Sequence, residues 1–67
     1  MQIYVNDRAT ETAEGQTLQT WLAAQGLADR KGLAVALNGA VVSRDKWASQ
    51  TLQAQDKIIL IGVFYGG

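Results

Sequence analysis

The apolar segment Ile58-Ile59-Leu60-Ile61 constrains the fold of this 67-residue chain more than any other part of the sequence. A run that is apolar at successive positions is typical of a strand in the interior of a sheet. The strands predicted earlier in the chain pair with one another in two hairpins, so this strand must find its partners between them. We therefore expect it at the centre of the sheet, parallel to the first strand.

The first of these hairpins is predicted at the beginning of the sequence. Residues 2–6 alternate polar and apolar side chains, which indicates a half-buried strand. Asn6-Asp7 suits a tight turn, because both residue types tolerate unusual backbone angles. Residues 9–13 can then return as the second strand of the hairpin.

A short helix is predicted after the first hairpin. Thr17 occupies the N-cap position, just before an apolar pattern of helical period. Leu18, Trp21 and Leu22 have the spacing that puts them on one helix face, so we expect Trp21 in the core. Gly26 is predicted to end the helix as its C-cap.

The second hairpin is predicted around Asn38-Gly39, which is the strongest turn signal in the chain because a type I′ turn needs two residues with positive φ. An apolar run at residues 33–37 precedes this turn, and residues 40–42 follow it as the partner strand. The run is expected to form an interior strand of the sheet.

A short helical turn over residues 44–47 is predicted after the second hairpin, with Ser43 as its cap. Trp47 is expected to pack beneath this turn, and Arg44 is expected to be a solvated surface charge. The stretch from there to the last strand has no regular pattern, and Leu52 is its predicted buried anchor.

Together these elements predict an α+β protein of the β-grasp (ubiquitin-like) class. It has a mixed sheet of about five strands with one helix packed across one face. The chain is short enough to be one domain, residues 1–67, with a flexible C-terminal tail at residues 62–67.

Composition excludes several classes of function. The chain has no Cys and no His, which removes thiolate chemistry, Ser-His-Asp catalysis and the usual zinc ligands. A net charge of zero argues against a nucleic-acid partner, and no apolar run is long enough to cross a membrane. A cytoplasmic location and the absence of a bound cofactor or metal follow as expectations. The carboxylates are scattered and are expected in solvated turns and caps: Asp7, Glu11, Glu14, Asp29, Asp45 and Asp56.

The final Gly66-Gly67 is the strongest functional signal in the sequence. Two glycines in succession form a narrow, flexible tip that can enter a tight channel and leaves the terminal carbonyl open to attack. A frayed end of small residues is the competing interpretation. The tip follows a core strand closely, so a rigid domain presents it, and this favours the functional interpretation.

The chain resembles the ThiS family of bacterial ubiquitin-like sulfur carriers along its full length. The most discriminating part is the segment Asn38 to Trp47, with its Asn-x-x-Val-Val-x-Arg-x-x-Trp pattern. The other matching segments are Met1-Gln2-Ile3, Asn6-Asp7, Gly15-Gln16-Thr17, residues 34–38, Asp56-Lys57-Ile58 and Gly66-Gly67. Phe64-Tyr65 departs from the small residues that commonly precede the two glycines in this family.

The resemblance implies a carrier, not an enzyme, whose Gly67 carboxylate is adenylated with ATP and converted to a thiocarboxylate. It implies three partners: a ubiquitin-activating-type adenylyltransferase similar to ThiF, a sulfur donor system with a cysteine desulfurase, and a thiazole synthase similar to ThiG. Gly66, Tyr65 and Phe64 are expected to thread into the partner's active site. The two aromatic rings, which the family does not share, can either pad the end of the last strand or fill an apolar groove on a partner, and for Tyr65 we expect the second role.

Three other functions remain open on the sequence. The first is a sulfur carrier for another acceptor, such as molybdopterin, cysteine or tRNA. The second is a ubiquitin-like modifier that is conjugated to lysines. The third is a β-grasp binding module with no chemistry of its own.

Overall fold

Five strands, one α-helix and one 3₁₀ helix make up residues 1–62, the part of the chain that the computed structural model describes. The strands are β1 (Gln2–Val5), β2 (Arg8–Glu11), β3 (Ala34–Leu37), β4 (Ala40–Val42) and β5 (Lys57–Ile61). The helices are α1 (Leu18–Ala24), between the two hairpins, and a 3₁₀ helix (Arg44–Ser49), between β4 and β5.

β5 lies at the centre of a mixed sheet whose strand order is β2-β1-β5-β3-β4. It runs parallel to β1 on one side and antiparallel to β3 on the other. Ile58 lies between the two neighbours, opposite Val5 of β1 and Leu37 of β3. The predicted central position, the parallel pairing and the α+β class of the β-grasp are therefore confirmed.

The core lies between the sheet and the helices. From the sheet, Ile3, Val35 and Ile58 are completely buried. Leu37, at the end of β3, is also a core residue. The remaining core side chains come from the helices and loops: Leu18, Trp21, Leu22, Leu33, Trp47 and Leu52. The predictions that Trp21 and Trp47 are core residues and that Leu52 is a buried anchor are confirmed.

The two hairpin turns support β5 directly through asparagine side chains. Asn6 and Asn38 have φ angles of 49° and 51°, the left-handed conformation that a type I′ turn requires. Each side-chain carbonyl also accepts a hydrogen bond from a β5 backbone N–H: Asn6 from Leu60 at 2.8 Å, and Asn38 from Lys57 at 2.9 Å. Asparagine at these positions therefore both forms the turn and extends the pairing of the central strand.

Both ends of α1 have hydrogen-bonded caps. The hydroxyl of Thr17 accepts from the N–H of Thr20 at 3.1 Å, which confirms the predicted N-cap. At the other end the C-cap is Gln25, and Gly26 lies one residue beyond it with φ 76°. The N–H of Leu27 reaches back to the carbonyl of Leu22 at 2.9 Å, which is the hydrogen bond of a Schellman motif.

Two further predictions differ from the structure. β2 covers residues 8–11 and not 9–13, because the two-residue turn puts Arg8 directly opposite Val5. Ser43 precedes the 3₁₀ helix, but its hydroxyl makes no capping bond to the backbone. It donates instead to the carboxylate of Asp45 at 2.7 Å.

Arg44 is exposed, as expected of a solvated surface charge, but it also makes specific contacts with the protein. Its guanidinium donates to the backbone carbonyls of Ala28 at 2.6 Å and Arg30 at 2.7 Å, and it lies 4.5 Å from the centroid of the Trp47 ring. The planar fork of arginine suits two carbonyl acceptors at once. Arg44 thus connects the 3₁₀ helix to the loop between α1 and β3.

We expect Asn6→Gly to lower the free energy of unfolding by about 1 kcal/mol, the typical contribution of one hydrogen bond. Glycine accepts the positive φ but removes the acceptor for Leu60. Asn6→Ala should lose more, because alanine adds roughly 1–2 kcal/mol of left-handed backbone strain. Urea denaturation of both variants measures the difference. Equal stability of wild type and Asn6→Gly would contradict a role for the side-chain bond.

Candidate functional site

The residues predicted to carry the function lie outside the described part of the chain. These are Phe64, Tyr65, Gly66 and Gly67. The structure instead describes the residues that precede this tail, which we call the base of the tail: β5 ends at Ile61, and Gly62 is the next residue. The candidate site is therefore built from the end of β5 and the sheet surface around it.

The helices cover only one face of the sheet, and this leaves an apolar patch on the other face. Along β5, Ile58 is fully buried, whereas Ile59 and Ile61 are 36% and 49% exposed. The strand register puts Ile59 beside Ala36, which in turn pairs with Val41 on β4, and Val41 is 73% exposed. We call this surface the open-face patch; it consists of Ala34, Ala36, Val41, Ile59 and Ile61.

The open-face patch follows from the single layer of helices on the sheet. Alternate side chains of β5 point to solvent because no second layer covers them. The signal for this was present in the sequence, since only one regular α-helix is available to cover two sheet faces. A strand that is apolar on both sides then exposes one of them.

No charged side chain belongs to the open-face patch. Lys57 points to the same face of β5, but it lies at the opposite end of the strand from Ile61. The apolar surface therefore extends toward the end of β5 that leads to Gly62. Contiguous exposed apolar surface of this kind is a common mark of a protein interface.

No group of His, Cys, Asp or Glu within residues 1–62 is placed to hold a metal ion, and no pocket is found in this part of the chain. Asp56, for example, accepts hydrogen bonds from the amide of Asn38 at 3.0 Å and the N–H of Gln53 at 2.8 Å, so it has a structural role in a turn. Neither described helix is long and apolar enough to span a membrane.

Similar proteins of known structure share this fold over the full length of this chain. The crystal structure of the thiamine biosynthesis protein ThiS from Geobacter metallireducens superposes with a TM-score of 0.84 at 26% identity, and the match covers 100% of both chains. A solution structure of a thiamine biosynthesis protein from the same organism has a TM-score of 0.79 at 26% identity, covering 100% of this chain and 88% of the other.

Sequence comparison points to the same family. The sulfur carrier protein ThiS of Escherichia coli is 41% identical over 68 residues, and the match covers 100% of both chains. The model of the ThiS family matches residues 2–67 and so includes the final glycines. The chain therefore belongs to the ThiS family, whose members are sulfur carrier proteins and not enzymes.

Proposed function

We propose that this protein carries sulfur as a thiocarboxylate on Gly67 and donates it for thiazole formation in thiamine biosynthesis. The observation that carries the proposal is the match to the ThiS family through the final Gly66-Gly67, together with full-length similarity to a sulfur carrier. Thiamine biosynthesis is preferred over other sulfur acceptors because both the curated relative and the structural relatives are ThiS proteins.

The chemistry needs two steps at the terminal carboxyl group, the first at phosphorus and the second at the carbonyl carbon. A carboxylate oxygen of Gly67 first attacks the α-phosphorus of ATP, so that a P–O bond forms and pyrophosphate leaves. A sulfur nucleophile at the oxidation level of hydrosulfide then attacks the acyl carbon. The new C–S bond replaces the C–O bond to AMP, and the terminal thiocarboxylate remains.

All catalytic groups are expected from partners. The whole sequence has no Cys and no His, so it offers neither a thiolate nor an imidazole. We propose a ThiF-like adenylyltransferase for the first step, a cysteine desulfurase system as the sulfur source, and a ThiG-like thiazole synthase as the acceptor enzyme. We propose that they act in the cytoplasm, where ATP and these donors are available, without a nucleic-acid or membrane partner.

The open-face patch is the surface that we propose for docking the adenylyltransferase. Gly67 must reach the active site of that enzyme, so the surface nearest to the base of the tail has to face it. Ile61 is the last residue of β5, and its side chain is half exposed and apolar. Burying such side chains in an interface contributes to affinity in the same way as burial in a core.

The mass of the intact protein tests the proposal. After incubation with ATP, the adenylyltransferase and the sulfur donor system, the mass should rise by the difference between sulfur and oxygen. Tandem mass spectrometry should assign the change to Gly67. A variant that lacks Gly66 and Gly67 should remain unmodified while its Tm stays close to that of wild type. Sulfur on an internal residue of wild type would contradict the proposal, and isopeptide-linked adducts would instead favour a protein modifier.

A charge in the open-face patch should weaken docking. We expect Ile61→Lys to raise the KM of adenylation for the carrier about tenfold, which corresponds to ~1.4 kcal/mol. Ala9→Lys is the matched control, because Ala9 pairs with Tyr4 on the same sheet face but lies on β2, at the far edge. Steady-state release of pyrophosphate measures both variants. Equal KM values for the two lysine variants would contradict docking through this patch.

Tyr65 is proposed as an aromatic anchor for a partner. Tyr65→Ala should weaken complex formation, whereas Tyr65→Phe, which keeps the ring, should retain most of the affinity. The Kd for the adenylyltransferase, measured by calorimetry, compares the two. A loss of unfolding free energy of about 3–5 kcal/mol in Tyr65→Ala would instead identify Tyr65 as a core residue.

A further inference from the structure

β5 ends at a close contact between two backbone segments. Gly62 follows Ile61, the last paired residue of the strand, and has φ 84°. A Cβ atom at Gly62 would lie 2.5 Å from the carbonyl oxygen of Gly32. The chain therefore leaves the ladder with β3 in a left-handed conformation that favours glycine, against a neighbouring carbonyl that leaves no room for a side chain.

The contact distinguishes Gly62 from the other described glycines. Gly26 has a similar φ of 76°, but a Cβ atom at that position would meet nothing within 4 Å. Alanine at Gly26 would thus add backbone strain alone, whereas alanine at Gly62 would add the same strain and a clash with a backbone atom. The clash can be relieved only by moving Gly32 or by redirecting the chain at Gly62.

Gly32 cannot move freely, because both sides of its loop are held. On one side, Arg44 donates to the carbonyls of Ala28 and Arg30 at 2.6 and 2.7 Å. Its guanidinium rests on Trp47, which is 1% exposed and whose indole N–H donates to the carbonyl of Val42 at 3.0 Å. On the other side, the neighbouring Leu33 is buried in the core.

We propose that Gly62 is a positioning residue for the modification of the terminus. Its contact with the Gly32 carbonyl, held through Arg44, sets the direction in which the last residues leave the sheet. The inference rests on the proposed function and assigns roles to Gly62 and to Arg44. It also explains why an arginine and a tryptophan lie three residues apart on the 3₁₀ helix, far along the chain from the reactive end.

The reason that direction matters is the short reach of the remaining chain. Residues 63–67 span at most about 17 Å when fully extended. Adenylation requires the carboxylate oxygen within roughly 3–3.5 Å of the α-phosphorus. Suppose that the open-face patch is docked on the enzyme but the chain leaves Gly62 in another direction. The carboxylate of Gly67 can then no longer reach the α-phosphorus. Docking should then persist while the reaction slows.

Steady-state adenylation of Gly62→Ala and Gly26→Ala by the adenylyltransferase tests this role. We expect kcat for Gly62→Ala to fall at least tenfold with KM within twofold of wild type, after correction for the folded fraction. Gly26→Ala should also lose Tm from backbone strain, by less than Gly62→Ala because it adds no clash, yet keep the wild-type kcat. Equal kcat values for the two folded variants would overturn the proposal.

Arg44→Lys provides a second test if Gly62→Ala does not fold. This variant keeps Gly32, Gly62 and the positive charge over Trp47. It loses the guanidinium that donates to two carbonyls of the loop at once. We expect kcat to fall about threefold to tenfold with an unchanged KM. A wild-type kcat in this variant would remove Arg44 from the proposal.

A nitroxide measurement gives a readout without the enzyme. The chain has no cysteine, so Val41→Cys, at an exposed patch residue, provides a single labelling site. The paramagnetic relaxation rates of the amides of residues 63–67 should differ between labelled Val41→Cys and the same protein carrying Gly62→Ala. They should be unchanged when labelled Val41→Cys carries Gly26→Ala. No change in either variant would overturn the positioning role. Failure of unsubstituted protein to be adenylated would instead count against the proposed function and leave this measurement intact.

Discussion

The central strand must find backbone partners on both edges, and the rest of the structure depends on this constraint. β5 is an apolar strand in the interior of the sheet, so its N–H and C=O groups cannot be left without partners. β1 supplies one edge and β3 the other, from hairpins that are far apart in the sequence. The sheet is complete only when this last strand has entered between them.

The turns of the two hairpins explain how pairing continues past the ends of the neighbouring strands. β1 ends at Val5, and the chain reverses at Asn6-Asp7 before β2 begins at Arg8. The side chain of Asn6 then takes the place of a backbone carbonyl for Leu60, and Asn38 does the same for Lys57. The residues that make the reversals possible thus also complete the hydrogen bonding of the strand that leads to the functional end.

A single α-helix on one side of the sheet has a functional consequence. It buries Ile58 and leaves Ile59 and Ile61 on an apolar surface next to the base of the tail. In the function that we propose, this surface would provide recognition, the carboxylate of Gly67 would provide the reacting atom, and partners would provide catalysis, because the chain has no Cys and no His.

The sequence by itself determined the elements and their order, because turn residues, helix caps and hydrophobic periodicity are local properties of the chain. It also indicated the family, through the resemblance of whole segments such as Asn38 to Trp47. Asn38-Gly39, Thr17 and the alternation in β1 each act over a few residues and were predicted correctly. The predicted site residues Phe64 to Gly67 also came from the sequence alone. Only the tertiary structure decided which side of β5 is exposed, that Arg44 holds the loop before β3, and that Gly62 meets Gly32. These features depend on contacts between residues distant in the chain, and no local pattern encodes them.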